Sequence, residues 1–365
     1  MKKSTIIGIT TAVVVFVALL LVATFFDLQI SVALGNADSL FGQFFRLWGE
    51  VTAWILIPIA GAIFFGATDG NSKLGKILKI VWAIVVFVGW YLSVEYLMEE
   101  FTGDSYKAGM YGSPYSVLII YTICFALIAT VFSLMFISRV KKETVRKLVI
   151  FAGAMLLALA ISQLFTTVMK NVWTRQRFRN MDIGNGGTDA SGYTPWYVVG
   201  LGKNKSAQTY YVEDSAGMLL KDAYKSFPSG HTSAAAMAYC VIMLPDLFEK
   251  LKKYKVWFYV VPLLYTALVA LSRIVNRAHF LSDVLFGGTI GILSVYAGIG
   301  IVNLINKSYE KNNKIFVAIA KIFGIEKGNE TTEVHEEDIV VETINNEEVN
   351  GEVEKVEVLS TEEKE

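Results

Sequence analysis

Charged residues, cysteine and histidine are all scarce in this sequence. Only 18% of its 365 residues are charged, against about 25% in a typical soluble domain, whereas 54% are hydrophobic. This composition excludes an ordinary water-soluble enzyme and indicates a protein of the lipid bilayer. The two cysteines, Cys124 and Cys240, both lie inside apolar runs, which excludes a scaffold held together by disulfides.

The formal net charge of zero conceals two segments of opposite sign. Residues 326–365 carry 15 acidic and 3 basic side chains, so the preceding residues hold 30 basic against 18 acidic ones. We expect residues 306–365 to form a cytoplasmic tail that is disordered from residue 326, because it has few apolar residues to bury. The sequence does not identify a partner for this tail, and nothing in the chain indicates binding to nucleic acid.

Apolar runs of about 20 residues predict an all-α integral membrane protein with about eight transmembrane helices. The sixth run is short and rich in alanine. Short basic loops follow the even-numbered runs, whereas the loop after the third run is acidic. This pattern predicts a multi-pass plasma membrane protein with both termini in the cytoplasm. The runs lie at residues 4–26, 50–66, 77–98, 115–138, 148–169, 232–245, 256–274 and 281–305.

Groups that bind phosphate are concentrated at the predicted outer ends of four helices. Lysine and arginine supply positive charge, and arginine can bind two phosphate oxygens at once. A glycine at a helix start lets a phosphate approach the backbone N–H groups. Because these residues share one predicted side of the membrane, we expect one anion site that stabilises phosphoryl transfer. The candidate phosphate-binding residues, here called the cradle, are Lys170, Arg177, Ser229, Gly230 and Arg273.

Two histidines next to the cradle have separable predicted roles. His279 and Asp283 are four residues apart, which would place them on one helix face. Asp283 would then hold Nδ1 of His279 and leave Nε2 free to attack phosphorus. His231 has no such partner in the sequence, which favours a role as general acid for the leaving oxygen. His335 lies in the acidic tail and is expected to be solvated.

The spacing of these residues resembles that of the type 2 phosphatidic acid phosphatase superfamily, which includes lipid phosphate phosphatases and vanadium haloperoxidases. The motifs of that superfamily read K-x6-R-P, P-S-G-H and S-R-x5-H-x3-D. A soluble haloperoxidase is disfavoured by the predicted membrane helices. Phe178 stands where the first motif has proline. The matching residues, in the same order, are Lys170, Arg177, Pro228-Ser229-Gly230-His231, Ser272-Arg273, His279 and Asp283.

This resemblance implies a fold, an activity and a location. The fold would be a six-helix core at residues 75–305, with an extracytoplasmic loop at 170–230 and two added helices at residues 1–70. The activity would be hydrolysis of a lipid phosphate or polyprenyl diphosphate at the outer leaflet. It would proceed through a phosphohistidine on His279, with no metal or other cofactor. The substrate lipid would be the partner in the bilayer.

Other interpretations of the same residues stay open. The same site would equally serve a phosphotransferase. An alternative from a different class is a non-catalytic transporter or scaffold, although a transporter favours ionisable groups at mid-membrane. His231, His279 and Asp283 offer three zinc ligands, but the cationic cradle would repel a dication. Arg175 and Arg179 are interpreted as anchors at the membrane surface, and Glu50 as an interfacial, solvated residue.

Overall fold

The computed structural model of the protein describes residues 3–102, 115–200 and 223–310. All of these residues belong to one unit of the chain, Met1–Ile325, and residues 326–365 form a second unit. Most of the predicted tail and part of the predicted extracytoplasmic loop therefore lie outside the described residues.

Helices supply all the regular secondary structure of the described residues, which confirms the predicted all-α membrane fold. Four 3₁₀ segments lie between or beside the α-helices, at Phe178–Asn180, Ile183–Asn185, Met237–Met243 and Glu249–Tyr254. The α-helices are α1 (Lys3–Leu34), α2 (Leu40–Trp54), α3 (Leu56–Ala67), α4 (Lys73–Thr102), α5 (Tyr115–Arg139), α6 (Lys142–Trp173), α7 (Gly230–Ala236), α8 (Leu244–Leu247), α9 (Trp257–Val275) and α10 (Leu281–Glu310).

Among the described residues, seven helices are long and apolar enough to cross a membrane. All seven coincide with predicted runs, and one of them, Leu40–Ala67, contains the predicted run 50–66 and joins α2 and α3 across Ile55. The short sixth run is absent from this set because α7, a 3₁₀ segment and α8 share it. A 3₁₀ helix rises about 2.0 Å per residue, against about 1.5 Å in an α-helix. The 18 residues from Gly230 to Leu247 thus extend about 30 Å, which is the thickness of the hydrocarbon core.

Glycines on α10 allow this helix to pack very closely against α6 and α7. A Cβ atom on Gly291 would lie 2.6 Å from the Ser233 carbonyl oxygen, and one on Gly298 would lie 2.6 Å from the carbonyl oxygen of Ala154. Such small-residue contacts bring helix backbones together where lipid provides no hydrophobic driving force. The start of α7 therefore sits against the start of α10, where the Ser229 N–H donates to the Asp283 carbonyl oxygen over 2.9 Å.

The N-terminal helices reach the turn that joins α9 and α10. The Asn36 N–H donates to the carbonyl oxygen of Val275 over 2.7 Å. On α2, the Gly42 carbonyl oxygen accepts a 2.7 Å hydrogen bond from Nδ2 of Asn276. Gly42 has no side chain to obstruct this contact, since a Cβ there would lie 2.1 Å from Asn276 Oδ1. The helices expected to be additions to a core thus contact the turn that carries His279.

We predict that Gly291→Ala lowers the stability of the folded protein. The new methyl group would overlap the Ser233 carbonyl oxygen and lie 2.5 Å from the Ala236 Cβ, so α7 and α10 must separate. Overpacking of this kind costs about 1–3 kcal/mol. The measurement is the thermal unfolding midpoint in detergent. Gly300→Ala is the matched control, because no atom lies within 4 Å of its Cβ position; equal destabilisation by both substitutions would contradict the prediction.

Candidate active site

The first part of the site is built where α6 ends. Thr174 adopts a left-handed conformation with φ 48°, a common way to terminate a helix. The next residues run beside the segment that precedes α7. The Arg177 N–H donates to the Ala223 carbonyl oxygen over 2.8 Å, and the Ser226 N–H donates to the Arg175 carbonyl oxygen over 3.0 Å. The Arg175 and Arg177 side chains are consequently directed into the protein, where both are buried.

The second part is the turn between α9 and α10. Arg277 also has a left-handed backbone, with φ 55°, and the N–H groups of Ala278 and His279 both point to the carbonyl oxygen of Arg273, at 3.1 and 3.3 Å. This turn folds His279 back beside Arg273 and buries it completely.

The hydrogen bonds of His279 define which ring nitrogen is free. Nδ1 lies 2.7 Å from the Ser226 carbonyl oxygen. A carbonyl can only accept, so Nδ1 carries the proton and Nε2 carries the lone pair. Nε2 faces Nη1 of Arg177 at 3.4 Å. The ring is thus held in the tautomer that a nucleophile attacking through Nε2 requires.

Asp283 lies within ion-pair distance of His279 but beyond hydrogen-bond distance, which refines the expectation from their spacing. Its Oδ2 atom is 3.6 Å from Nδ1, too far for a hydrogen bond. His279 precedes α10, so helical i, i+4 geometry does not govern its contacts. Oδ2 instead accepts a 2.5 Å hydrogen bond from the Ser226 hydroxyl and one from the Phe280 N–H. Asp283 therefore positions Ser226, and the Ser226 carbonyl positions His279.

Burial keeps His279 neutral. Loss of water contact lowers the pKa of the imidazole to about 3, and the positive charges of Arg177 and Arg273 act in the same direction, whereas Asp283 opposes them. A free imidazole has a pKa near 6.5. The ring therefore keeps its lone pair throughout the physiological pH range.

Arg273 provides the clearest sign of an anion-binding site. Its side chain is 2% exposed, yet Nε and Nη1 have no hydrogen-bond partner among the described residues. Buried donors without acceptors are costly, and two N–H groups on one guanidinium suit the paired oxygens of a phosphate. The Nζ atom of Lys170 lies close by, 2.9 Å from the position of a Cβ on Gly230. Glycine at position 230 therefore leaves room for the lysine ammonium at the start of α7.

Ser229 is the N-terminal cap of α7. Its hydroxyl oxygen accepts hydrogen bonds from the Thr232 N–H and hydroxyl, at 3.4 and 3.0 Å. Its own N–H is used by the Asp283 carbonyl oxygen, as described above. The backbone donor of Ser229 is thus committed to the protein, and only its hydroxyl proton is left for a phosphate.

His231 has an acidic partner that its neighbours in the sequence do not reveal. Nδ1 lies 3.1 Å from Oε2 of Glu50 on α2, and Nε2 lies 3.2 Å from the hydroxyl oxygen of Tyr96 on α4. The interpretation of Glu50 as a solvated interfacial residue is therefore wrong. The positive charges of Lys170, Arg177 and Arg273 lie close enough to act on the same histidine, so the structure brings His231 and the cradle together.

Arg175 is not a surface anchor, because its side chain is 1% exposed and pairs with two carboxylates. Nη1 donates to Asp283 over 2.7 Å and Nη2 donates to Asp27 over 3.0 Å. The guanidinium also lies 4.1 Å from the centre of the Phe280 ring. Asp27, on α1, additionally accepts from the backbone N–H of Ser282 over 2.9 Å. Asp27 was not among the predicted site residues, although an acidic residue inside a membrane helix is itself a signal of function.

Phe178, which replaces the proline of the family motif, keeps the local turn by packing. The residue before it, Arg177, has φ −75° and ψ 143°, the extended conformation that a following proline would also favour. The Phe178 ring packs edge-on against Phe280, with centroids 6.0 Å apart, and is 2% exposed. The substitution therefore preserves the position of Arg177.

A cavity of about 960 Å³ opens beside the turn that carries His279. One wall is apolar and comes from α2, with Leu40, Phe44 and Trp48. Arg179, which is exposed as expected, and Arg277 also line the cavity. A lining that combines apolar and cationic groups suits an anionic amphiphile.

The zinc interpretation gains no support from the side-chain geometry. Within residues 3–102, 115–200 and 223–310, no group of three or more histidine, cysteine, aspartate or glutamate side chains is arranged to hold a metal ion. His231 pairs with Glu50, whereas His279 and Asp283 contact Ser226.

Comparison with known proteins supplies the family. The sequence model of the PAP2 superfamily matches residues 151–307, a range that includes every motif residue from Lys170 to Asp283. Over these residues the chain matches the PAP2 superfamily, which confirms the resemblance seen in the sequence.

A curated protein matches part of the same chain. Over 77 residues the sequence is 38% identical to phosphatidylglycerophosphatase B of Bacillus subtilis (strain 168). The match covers 20% of this chain and 38% of that protein, so it spans well under half of the relative's length. No solved structure matches the chain.

We predict that Gly230→Ala weakens oxyanion binding without unfolding the protein. The added methyl group would come within 3 Å only of the Lys170 Nζ atom. This flexible side chain can move away at little cost, but it would then no longer face the other residues of the cradle. Vanadate affinity in detergent should fall about three- to tenfold, because small misplacements in such sites are costly. Gly300→Ala serves as the control, and an unchanged vanadate affinity in Gly230→Ala would contradict the placement of Lys170.

Proposed function

We propose that this protein is an integral membrane phosphatase that hydrolyses a lipid phosphate or a polyprenyl diphosphate. The observation that carries the proposal is the pairing of a neutral His279, with Nε2 directed at the cradle, with the buried and unsatisfied guanidinium of Arg273. One group is ready to attack phosphorus and the other is ready to bind its oxygens. The match to the PAP2 superfamily and the likeness to a phosphatidylglycerophosphatase support the same conclusion.

The proposed reaction has two steps. In the first, Nε2 of His279 attacks phosphorus, the bond from phosphorus to the lipid oxygen breaks, and His231 gives its Nε2 proton to that oxygen. In the second, water attacks the phosphohistidine, its proton passes to His231, and the phosphorus–nitrogen bond breaks. Phosphate leaves, and both histidines return to their starting states. Lys170, Arg177, Ser229, Gly230 and Arg273 bind the phosphoryl oxygens and stabilise the charge that spreads over them.

We place this reaction at the outer leaflet of the plasma membrane. The site lies at the helix ends opposite to the basic loops, and those loops favour the cytoplasmic side. The cavity between α2 and the Arg277 turn would receive the lipid next to the phosphate. The family match begins at residue 151, and we propose that α1 to α5 complete the catalytic unit, since α1 and α2 contribute Asp27 and Glu50.

We predict that His279→Ala lowers phosphate release from short-chain phosphatidic acid at least about a thousandfold, because no other group can form the covalent intermediate. Asp283→Asn should leave measurable activity, since an amide oxygen can still accept from Ser226. Acid-quenched samples made with radiolabelled substrate should contain phosphohistidine in the wild type only, and vanadate should inhibit turnover. The assays contain EDTA, as no proposed step uses a metal. Full activity of His279→Ala, or loss of wild-type activity in EDTA, would contradict this mechanism.

We predict opposite labelling of the two ends of the helix bundle. In a Cys124→Ala, Cys240→Ala background, Thr188→Cys should react with an impermeant maleimide in intact cells, because it is exposed at the end that carries the site. Glu143→Cys, which is exposed at the start of α6, should react only after the cells are permeabilised. The reverse pattern would move the site to the cytoplasmic leaflet.

A further inference from the structure

His231 is held between two helices that lie outside the region matched by the PAP2 superfamily. Glu50 on α2 contacts Nδ1 at 3.1 Å, and Tyr96 on α4 contacts Nε2 at 3.2 Å. Side-chain exposure of the two paired residues is 15% for His231 and 28% for Glu50, so water screens the contact only in part.

The charges around His231 create a problem for a general acid. To protonate the leaving oxygen, the imidazole must first carry a positive charge. Lys170, Arg177 and Arg273 act on it from α6, the following loop and α9, and each of them disfavours a further positive charge. Glu50 is the acidic group in hydrogen-bond contact with the ring among the described residues, and its charge opposes the three cations.

The geometry also fixes which nitrogen delivers the proton. A carboxylate only accepts hydrogen bonds, so the Nδ1 proton stays on the ring, directed at Glu50. Nε2 is then the nitrogen that exchanges its proton, on the side where Tyr96 now makes its hydrogen bond. The relation resembles that of the aspartate to the histidine in a serine hydrolase, where the carboxylate orients the ring and stabilises the imidazolium.

We propose that Glu50 is the positioning residue for the general acid His231, and that the two form a carboxylate–imidazole dyad between α2 and α7. This inference rests on the proposed phosphatase function. During bond cleavage the Nε2 proton of His231 moves to the leaving oxygen, and water returns a proton to Nε2 when the phosphohistidine is hydrolysed. In these steps Glu50 orients the imidazole ring and neither donates nor accepts the transferred proton.

The test compares two leaving groups in Glu50→Gln, which keeps an acceptor for Nδ1 but removes the charge. A lipid alkoxide needs a proton to leave, whereas nitrophenolate leaves readily without one. The variant should therefore lose about ten- to hundredfold in kcat/KM on dioctanoyl phosphatidic acid, and less than about threefold on p-nitrophenyl phosphate. Glu95→Gln on α4, one residue before Tyr96, is the matched control and should change neither value.

His231→Ala should show the same dependence on the leaving group. Because the two residues act as one unit, the double variant should be no slower than His231→Ala alone. Glu50→Asp, which restores the charge on a shorter side chain, should recover part of the activity on phosphatidic acid, and it provides a second measurement if Glu50→Gln does not fold.

Two results would overturn the dyad. One is an equal loss on both substrates in Glu50→Gln and Glu50→Asp, which a purely structural role would produce. The other is an additive loss in the double variant. A wild-type enzyme that is inactive on both substrates, or a His279→Ala variant that stays active, would instead refute the proposed function, so the two failures are distinguishable.

Discussion

The buried guanidinium of Arg175 is the contact on which the rest of the site depends. It joins Asp27 of α1 to Asp283 of α10, and its side chain is only 1% exposed to solvent. Removing one member of a buried ion pair leaves an uncompensated charge and typically costs about 3–5 kcal/mol. Here the arginine is placed between two carboxylates, and Asp283 in turn fixes Ser226. The orientation of His279 is thus set by a chain of contacts that begins at the first helix.

The site is organised as two histidines with different supports. His279 is held by a backbone carbonyl and is kept neutral by burial among arginines. His231 contacts a carboxylate and a tyrosine hydroxyl at the edge of the same group of cations. One imidazole is thereby suited to donate an electron pair, and the other to carry a proton. Different environments that give two similar groups different protonation behaviour are a general means of assigning them separate chemical tasks.

Much of this arrangement follows from local sequence signals. Apolar runs located the helices, and motif spacing located the cradle and both histidines, since each signal lies within one short segment. The contacts of Asp27 and Glu50 were not predictable in the same way, because their partners are far away in the chain; 148 residues separate Asp27 from Arg175. The hydropathy pattern also predicted that the first helix ends at residue 26, whereas α1 continues to Leu34. Asp27 consequently looked like a boundary residue and not a buried one.

The position of Asp27 within α1 has a consequence for how the protein enters the membrane. During synthesis α1 is made before α6, and its carboxylate reaches the bilayer before its partner exists. An isolated aspartate within a membrane helix costs at most about 2.5–3.5 kcal/mol on insertion, the value at the helix centre, which the long apolar run of α1 can offset. The pair with Arg175 forms only after α6 has left the ribosome. The first helix therefore inserts early but docks late, and its docking completes the active site.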